Sequence, residues 1–295
     1  MRAWRRCSRF TPWLFAAPFL VVFALFVAWP LGKSLVLSFQ QTYGPRYSTW
    51  VGLENFQFMM RDPFFWVALR NTALIALAAL VVQTPVSLGL ALLLNRPGVR
   101  GRAVFRLALF APSLVGLVFA AMLFSMVLER RYGLLNLSLH WLMPSFDTGF
   151  AWRQELPLAS LVLASLWLHT GFYMVYFLAA LQSVPHEQEE SALIDGAGAW
   201  QRFRYIVWPE IRPVAAFVTL LSLIGSFQLF ELPWILFDYN SGTSDNRGLT
   251  IMVYLYQTGF QLGDLGYASA IGWVLALILG ALTWAQQRLL GERTS

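Results

Sequence analysis

Six stretches of this chain, near residues 12–38, 67–94, 104–128, 156–182, 213–237 and 266–288, are apolar for about 20 residues or more. A helix rises about 1.5 Å per residue, so each stretch can cross the roughly 30 Å hydrocarbon core of a bilayer. The chain has 295 residues, 58% of them hydrophobic and 12% charged. A water-soluble domain would need more charge to cover its surface. The expected fold class is therefore an all-α integral membrane protein, with six transmembrane helices in a single domain over residues 1–295.

The charges sit at the ends of the apolar runs. With the N-terminus inside, the inner pieces hold Arg2, Arg5, Arg6, Arg9, Arg96, Arg100, Arg102, Arg106, Arg202, Arg204, Arg212, Arg288 and Arg293. The outer loops hold only Arg46, Arg61, Arg70, Arg130, Arg131, Arg153 and Arg247. The positive-inside rule then places both termini in the cytoplasm. Arg2, Arg5 and Arg6 before an apolar run also suit a signal peptide, but without an evident small-residue cleavage site the run reads as an uncleaved span. The net charge of +6 is spread along the chain and makes no nucleic-acid face. Cys7 is the single cysteine, which excludes a disulfide framework and a cysteine metal site. Two outer stretches stand out: Gly133 to Leu142 suits an interfacial helix, and the polar stretch from Asp238 to Gly248 suits an exposed loop.

Residues 183–212 make a far longer connection than two neighbouring spans require. Ser183 suits an N-cap and Pro185 the first turn of a short helix. Glu187, Glu189 and Glu190 follow at the positive end of its dipole. Asp195-Gly196-Ala197-Gly198 supplies a sharp turn. A second helix is expected to carry Trp200, Phe203 and Val207 on one stripe, and to end at Pro209 and Pro213. From these residues alone, such a helix–turn–helix could grip a partner or rest among lipid headgroups.

Its spacing resembles the EAA loop of permeases from binding-protein-dependent ABC importers. Glu190-Ser191-Ala192, Gly196, Ile206 and Pro209 fall at that loop's positions, with Ser191 for its first Ala and Trp208 for its Leu. Val51-Gly52-Leu53-Glu54-Asn55-Phe56, Asn71-Thr72, Phe110-Ala111-Pro112, Tyr132-Gly133-Leu134-Leu135-Asn136 and Gly266-Tyr267-Ala268-Ser269-Ala270 are similar to carbohydrate-type permeases in the same order. The glycine-rich stretch common in that family after the fifth span is replaced by Phe237-Asp238-Tyr239-Asn240-Ser241-Gly242. The resemblance implies a non-catalytic subunit of the prokaryotic inner membrane, forming half of an import pore. Its implied partners are a second homologous permease, two cytoplasmic ATPases that bind the ATP and Mg, an external solute-binding protein and membrane lipid. It further implies that Glu190, Ser191, Ala192, Asp195, Gly196, Ile206 and Pro209 couple the pore to the ATPases, and that the chain carries no cofactor of its own. The solute class it points to is a sugar, oligosaccharide or polyol, with glycerol phosphate as an alternative.

Polar residues within spans are costly and mostly face a bundle interior. Ser165, His169, Phe172, Tyr173 and Tyr176 share one helical face, and Thr219, Ser222 and Ser226 share another, followed by Gln228 and Glu231. Hydroxyls, amides and aromatic faces suit a neutral polyhydroxyl solute; the same residues also serve helix packing. Gly32-Lys33-Ser34 imitates the end of a phosphate-binding loop, but Val27 stands where the first glycine is needed. Ser244 lacks the closing glycine of a nucleophile elbow. His140, His169 and His186 are scattered, so no metal site is expected. An ion-coupled secondary transporter is the first rival function, and the buried ionisable groups it would use are scarce here; a membrane-embedded enzyme is the second, and nothing resembling a catalytic pair argues for it.

Overall fold

A computed structural model describes residues 2–44, 47–96, 98–239 and 246–291, with side chains from 13–42, 44, 47–96, 98–239 and 246–288. The expected turn at Asn240-Ser241-Gly242, Ser244, Arg46 and Arg293 lie outside the described residues, as do the side chains of Arg2, Arg5, Arg6, Cys7 and Arg9.

Among the described residues, five helices are long and apolar enough to cross a membrane: α1 (Trp13–Leu37), α3 (Pro63–Asn95), α7 (Pro157–Gln182), α9 (Ala199–Phe227) and α12, whose apolar part is Leu265–Arg288. Between them lie α2 (Glu54–Arg61), α6 (Leu134–Leu142), α8 (His186–Ile194), α10 (Glu231–Leu236) and α11 (Ile251–Tyr256). The stretch expected as one span near 104–128 is a pair of helices, α4 (Arg102–Leu114) and α5 (Leu117–Val127), bent by 100°. The bend follows the Ala111–Leu114 3-10 turn, where Val115 and Gly116 are extended. Pro112 and Gly116 bracket it, and both weaken a regular helix. The all-α expectation is also corrected by a small antiparallel ladder, β1 (Gln40–Tyr43) on β2 (Tyr47–Trp50), with Gln40 opposite Trp50 and Tyr43 opposite Tyr47.

Proline does not end these helices. Five-residue π-helical turns at Ala24–Ala28, Ala79–Gln83 and Phe203–Val207 stand immediately before Trp29-Pro30, Thr84-Pro85 and Trp208-Pro209. The residue before each proline donates its N–H five positions back, to the carbonyls of Ala24, Ala79 and Phe203. Proline brings no N–H and clashes with the carbonyl four residues earlier. Opening the helix by one residue there moves that carbonyl aside. Hence α9 starts about 14 residues before the expected start at 213 and runs through both Pro209 and Pro213. It stops at Phe227, and the expected continuation to 237 is the separate short helix α10.

Residues 1–62 with 255–278 form one compact unit, and residues 63–254 with 279–295 another. In the first, Asn55 donates to the carbonyls of Ser38 and Gln40, each at 2.9 Å. Asp264 accepts from the Tyr267 N–H at 3.0 Å, capping the start of α12, and the Thr42 hydroxyl accepts from the Gly266 N–H at 3.0 Å. A side chain on Gly266 would strike the carbonyl of Gln40.

Two apolar clusters lie among the described residues of the second unit. One gathers Ala91 and Leu94 of α3, Met174, Phe177 and Leu178 of α7, and Val207, Ile211 and Val218 of α9. The other joins Ala120, Ala121 and Phe124 of α5 to Leu161, Ala164 and Leu168 of α7 and Leu232 and Leu236 of α10. Polar contacts join the elements. The Ser87 hydroxyl lies 3.0 Å from the Thr170 carbonyl, and Gly171 lets the backbone of Leu109 lie directly on α7. Asn71 donates to the carbonyls of Arg247 and Leu249, each at 3.0 Å, and the Thr72 hydroxyl accepts the Ile251 N–H at 2.9 Å. Asn136 of α6 is buried, accepts from Trp152 Nε1 at 2.6 Å and faces the carbonyls of Thr148 and Phe150 at 3.0 and 2.9 Å.

Candidate functional site

The connection between α7 and α9 folds as two helices around one tight turn. Ser183 is not the N-cap: its hydroxyl donates back to the Ala180 carbonyl at 2.8 Å and closes α7, leaving Pro185 as the capping residue of α8. Glu187 and Glu189 occupy the first turn of α8, where the helix dipole favours carboxylates.

The end of α8 accounts for most of the motif positions. Gly196 has φ +78°. Its N–H donates to the Leu193 carbonyl at 3.1 Å, and the Ala197 N–H reaches back to Ala192 at 2.9 Å. These two bonds make a Schellman closure, which needs a left-handed residue at the position of Gly196. Asp195 is the C-cap, with its N–H on the Ser191 carbonyl at 3.0 Å. Ala192 and Ala197 are half-buried at this joint, while Glu190, Ser191, Asp195 and Gly196 are exposed. Gly198 then caps α9, its N–H donating to Gln201 Oε1 at 2.8 Å.

The hairpin is apolar on its outside. Ile194 is 87% exposed, Tyr205 75%, Trp200 71% and Leu193 52%. The expected stripe of Trp200, Phe203 and Val207 grades inward: Trp200 is exposed, Phe203 half-buried and Val207 part of the core. Rings link it to the span, with Trp200 and Phe203 5.8 Å apart and Phe203 and Trp208 6.2 Å apart. Ile206 is half-buried and Pro209 exposed. The seven expected coupling residues therefore fall on one continuous piece of structure, from α8 to the start of the apolar part of α9.

The polar residues singled out within the spans divide into two kinds. Ser165, His169 and Tyr176 are half-buried on α7. His169 Nδ1 lies 3.1 Å from the Ser165 carbonyl, and its ring is 6.4 Å from that of Tyr173. Phe172 meets Tyr176 edge-on at 5.2 Å. Tyr173, Ser222 and Ser226 are instead buried, and Ser226 donates to the Ser222 carbonyl at 2.8 Å. Gln228 and Glu231 lie beyond the end of α9, with Gln228 exposed and Glu231 in the first turn of α10. Sequence reasoning passed over Gln83. It is buried at the close of a π turn, its Nε2 has no partner among the described residues, and with Ser165 it borders a void of about 10 Å³. An amide within an apolar span was the available signal.

Among the described residues no group of His, Cys, Asp and Glu could hold a metal ion. One acidic group outside the spans has a shifted titration: the Glu129 carboxylate lies below its ordinary value, chiefly because the Tyr132 N–H donates to it at 2.7 Å, with Arg131 N–H at 2.6 Å adding to this.

The chain is 37% identical over 287 residues to the arabinooligosaccharides transport system permease protein AraP of Halalkalibacterium halodurans, covering 96% of this chain and 89% of that one. It is 30% identical to the lactose transport system permease protein LacF of Rhizobium radiobacter, covering 95% and 94%. Its fold is similar to a chain of a crystallised bacterial ABC transporter involved in the import of the acidic polysaccharide alginate, with a TM-score of 0.80, 24% identity and full coverage of both chains. Residues 83–295 match the family described as binding-protein-dependent transport system inner membrane component, and this chain belongs to that family.

Proposed function

We propose that this permease forms half of an inner-membrane pore for a neutral sugar or oligosaccharide, and that its α8–α9 hairpin is the lever by which ATPase subunits drive it. The relatives named for arabinooligosaccharides and lactose support the solute class. In this reading α4 and α5 together make a sixth crossing, both termini are cytoplasmic, and residues 1–295 act as one transmembrane domain. A second permease subunit completes the pore and an external binding protein delivers the solute. Two cytoplasmic ATPases bind the ATP and Mg, and this chain holds no cofactor and catalyses no reaction.

The observation that carries the coupling role is the exposed apolar crown of Leu193, Ile194, Trp200 and Tyr205 on a turn closed by two backbone bonds. Large apolar groups held outward on a rigid turn suit burial in a cleft of another protein. The π turn at Phe203–Val207 ties the hairpin into α9 without a break, so a push on the hairpin reaches the span. Ser165, His169, Tyr176, Gln228 and Glu231 are the proposed solute-facing groups, with Tyr173, Ser222 and Ser226 setting the helix contact behind them. Ile194→Glu, which alters a side chain that is 87% exposed, is expected to leave membrane insertion and yield unchanged while ATPase co-purification and uptake are lost. Normal co-purification in that variant would exclude the hairpin as the docking element.

A further inference from the structure

Within the second unit a slot of about 350 Å³ lies among α3, α7, α9 and the end of α12. Most of its lining is apolar, with Leu80, Leu88, Phe177 and Ala215 among the lining residues, and Thr84, Thr219, Trp208, Arg212 and Gln286 add polar groups. From Arg212 to Thr219, which also line it, the slot follows α9 for about 10 Å at 1.5 Å per residue. It is thus a mostly apolar, partly open slot among membrane-crossing helices, with the Arg212 guanidinium in its lining.

We propose that this slot is a binding site for an anionic phospholipid, with one acyl chain lying along α9 and the phosphate held by Arg212. Three features favour this occupant. The walls suit a flexible hydrocarbon chain rather than a polar solute. Further arginines flank the lining residues in sequence: Arg202 and Arg204 precede Arg212 on α9, with Glu210 the one acid between them, and Arg288 follows Gln286 on α12. Basic pockets between membrane helices select acidic headgroups. Finally, Gln286 donates to the Ala216 carbonyl at 2.6 Å, but its Oε1 is buried with no hydrogen bond among the described residues. A hydrocarbon chain alone would leave that acceptor unmet, whereas the glycerol hydroxyls of phosphatidylglycerol can donate to it. Trp208 in the same lining suits the level where chains meet headgroups.

The test is native mass spectrometry of the purified importer complex, titrated with dioleoylphosphatidylglycerol or dioleoylphosphatidylcholine. The wild type is expected to retain one phosphatidylglycerol per copy of this chain in preference to phosphatidylcholine. Arg212→Gln is expected to weaken that retention about fivefold, and Arg212→Lys to preserve most of it. Ala216→Trp, which fills the slot, is expected to abolish retention of either lipid at this site. Equal retention of both lipids with no response to Arg212→Gln would overturn the proposal, as would undiminished binding in a folded Ala216→Trp protein. If Ala216→Trp fails to assemble, the Arg212→Gln and Arg212→Lys pair decides alone. Phosphatidylglycerol bound to the isolated chain but absent from the complex would assign the slot to a partner's surface and also overturn it.

Discussion

Replacing Gly196 measures how much of the proposed coupling to an ATPase rests on backbone shape. Its φ of +78° is a left-handed conformation, and a Cβ built there meets nothing within 4 Å. Substitution therefore introduces no clash within the chain, and its cost is conformational. For an ordinary L-residue that cost is about 1–2 kcal/mol; for Asn it is smaller, and for a β-branched residue larger. The flanking residues of α8 are mostly exposed, so the strain is relieved by local opening of the turn rather than by unfolding the membrane core. If the free hairpin opens, ATPase affinity falls in proportion to the closed fraction. An alanine at this position is then expected to weaken association by about 5- to 30-fold, with Gly196→Asn weaker in effect and Gly196→Val stronger. The assay is equilibrium binding of the purified ATPase to the permease in detergent, alongside membrane yield as a folding control. Wild-type affinity in Gly196→Val would refute the reasoning. An Asn variant worse than Val would refute it too, because the order would then reflect bulk against a partner and not the backbone.

The segment around α6 supports two further predictions. Asn136→Ala leaves Trp152 Nε1 and the carbonyls of Thr148 and Phe150 without that partner, and is expected to cost about 1–3 kcal/mol, read as a lowered thermal midpoint with faster amide exchange over residues 129–152. Glu129 has its pKa lowered in the folded chain, so its contribution is present above the unfolded-state pKa and is lost as pH falls through the lower folded value. Acid melting curves of Glu129→Gln should therefore show a shallower pH dependence below the ordinary carboxylate range, and identical curves for the two proteins would contradict that assignment.

Apolar run length located α1, α3, α7 and α12 to within a few residues, because length and apolarity are what a bilayer requires of a crossing helix. Proline misled at α9. Its effect on a helix depends on the register of the preceding turn, and nothing in Phe203–Val207 as a string of residues marks a π turn. The bend between α4 and α5 was hidden for the opposite reason: Ala111 to Gly116 is apolar enough to continue a span, and only the backbone reveals the change of direction. The short β1–β2 ladder lacks the long alternation by which a strand is recognised. In the hairpin, the left-handed turn was legible from Gly196, and the capping role of Ser183 was not, since a serine at a helix boundary can close the helix before it as readily as open the one after. Periodicity put Ser165, His169, Phe172, Tyr173 and Tyr176 on one face of α7, yet it could not tell which of them meets another helix: Tyr173 is buried, and the Tyr176 ring lies 5.7 Å from that of Phe217 on α9. That division depends on the neighbour, which a single helix does not encode.

The weak sequence pieces beyond the hairpin have a common physical basis. In a bilayer, lipid tails are as apolar as leucine, so burying apolar surface between helices gives little preference for one arrangement over another. Specificity must come from close backbone contact and from hydrogen bonds that have few alternatives in hydrocarbon. That is what these pieces contribute. Asn55 holds the backbone at Ser38 and Gln40; Asn71 and Thr72 hold the strand of chain from Arg247 to Ile251; Asn136 holds the segment from Thr148 to Trp152. Gly266 admits the backbone of Gln40 where any side chain would collide. An Asn can satisfy two carbonyls from one amide, which a hydroxyl cannot, so its replacement by Ser should not suffice at these positions. The residues that mark this chain's resemblance to sugar permeases outside the hairpin are thus chiefly those that hold irregular backbone in place beside the spans.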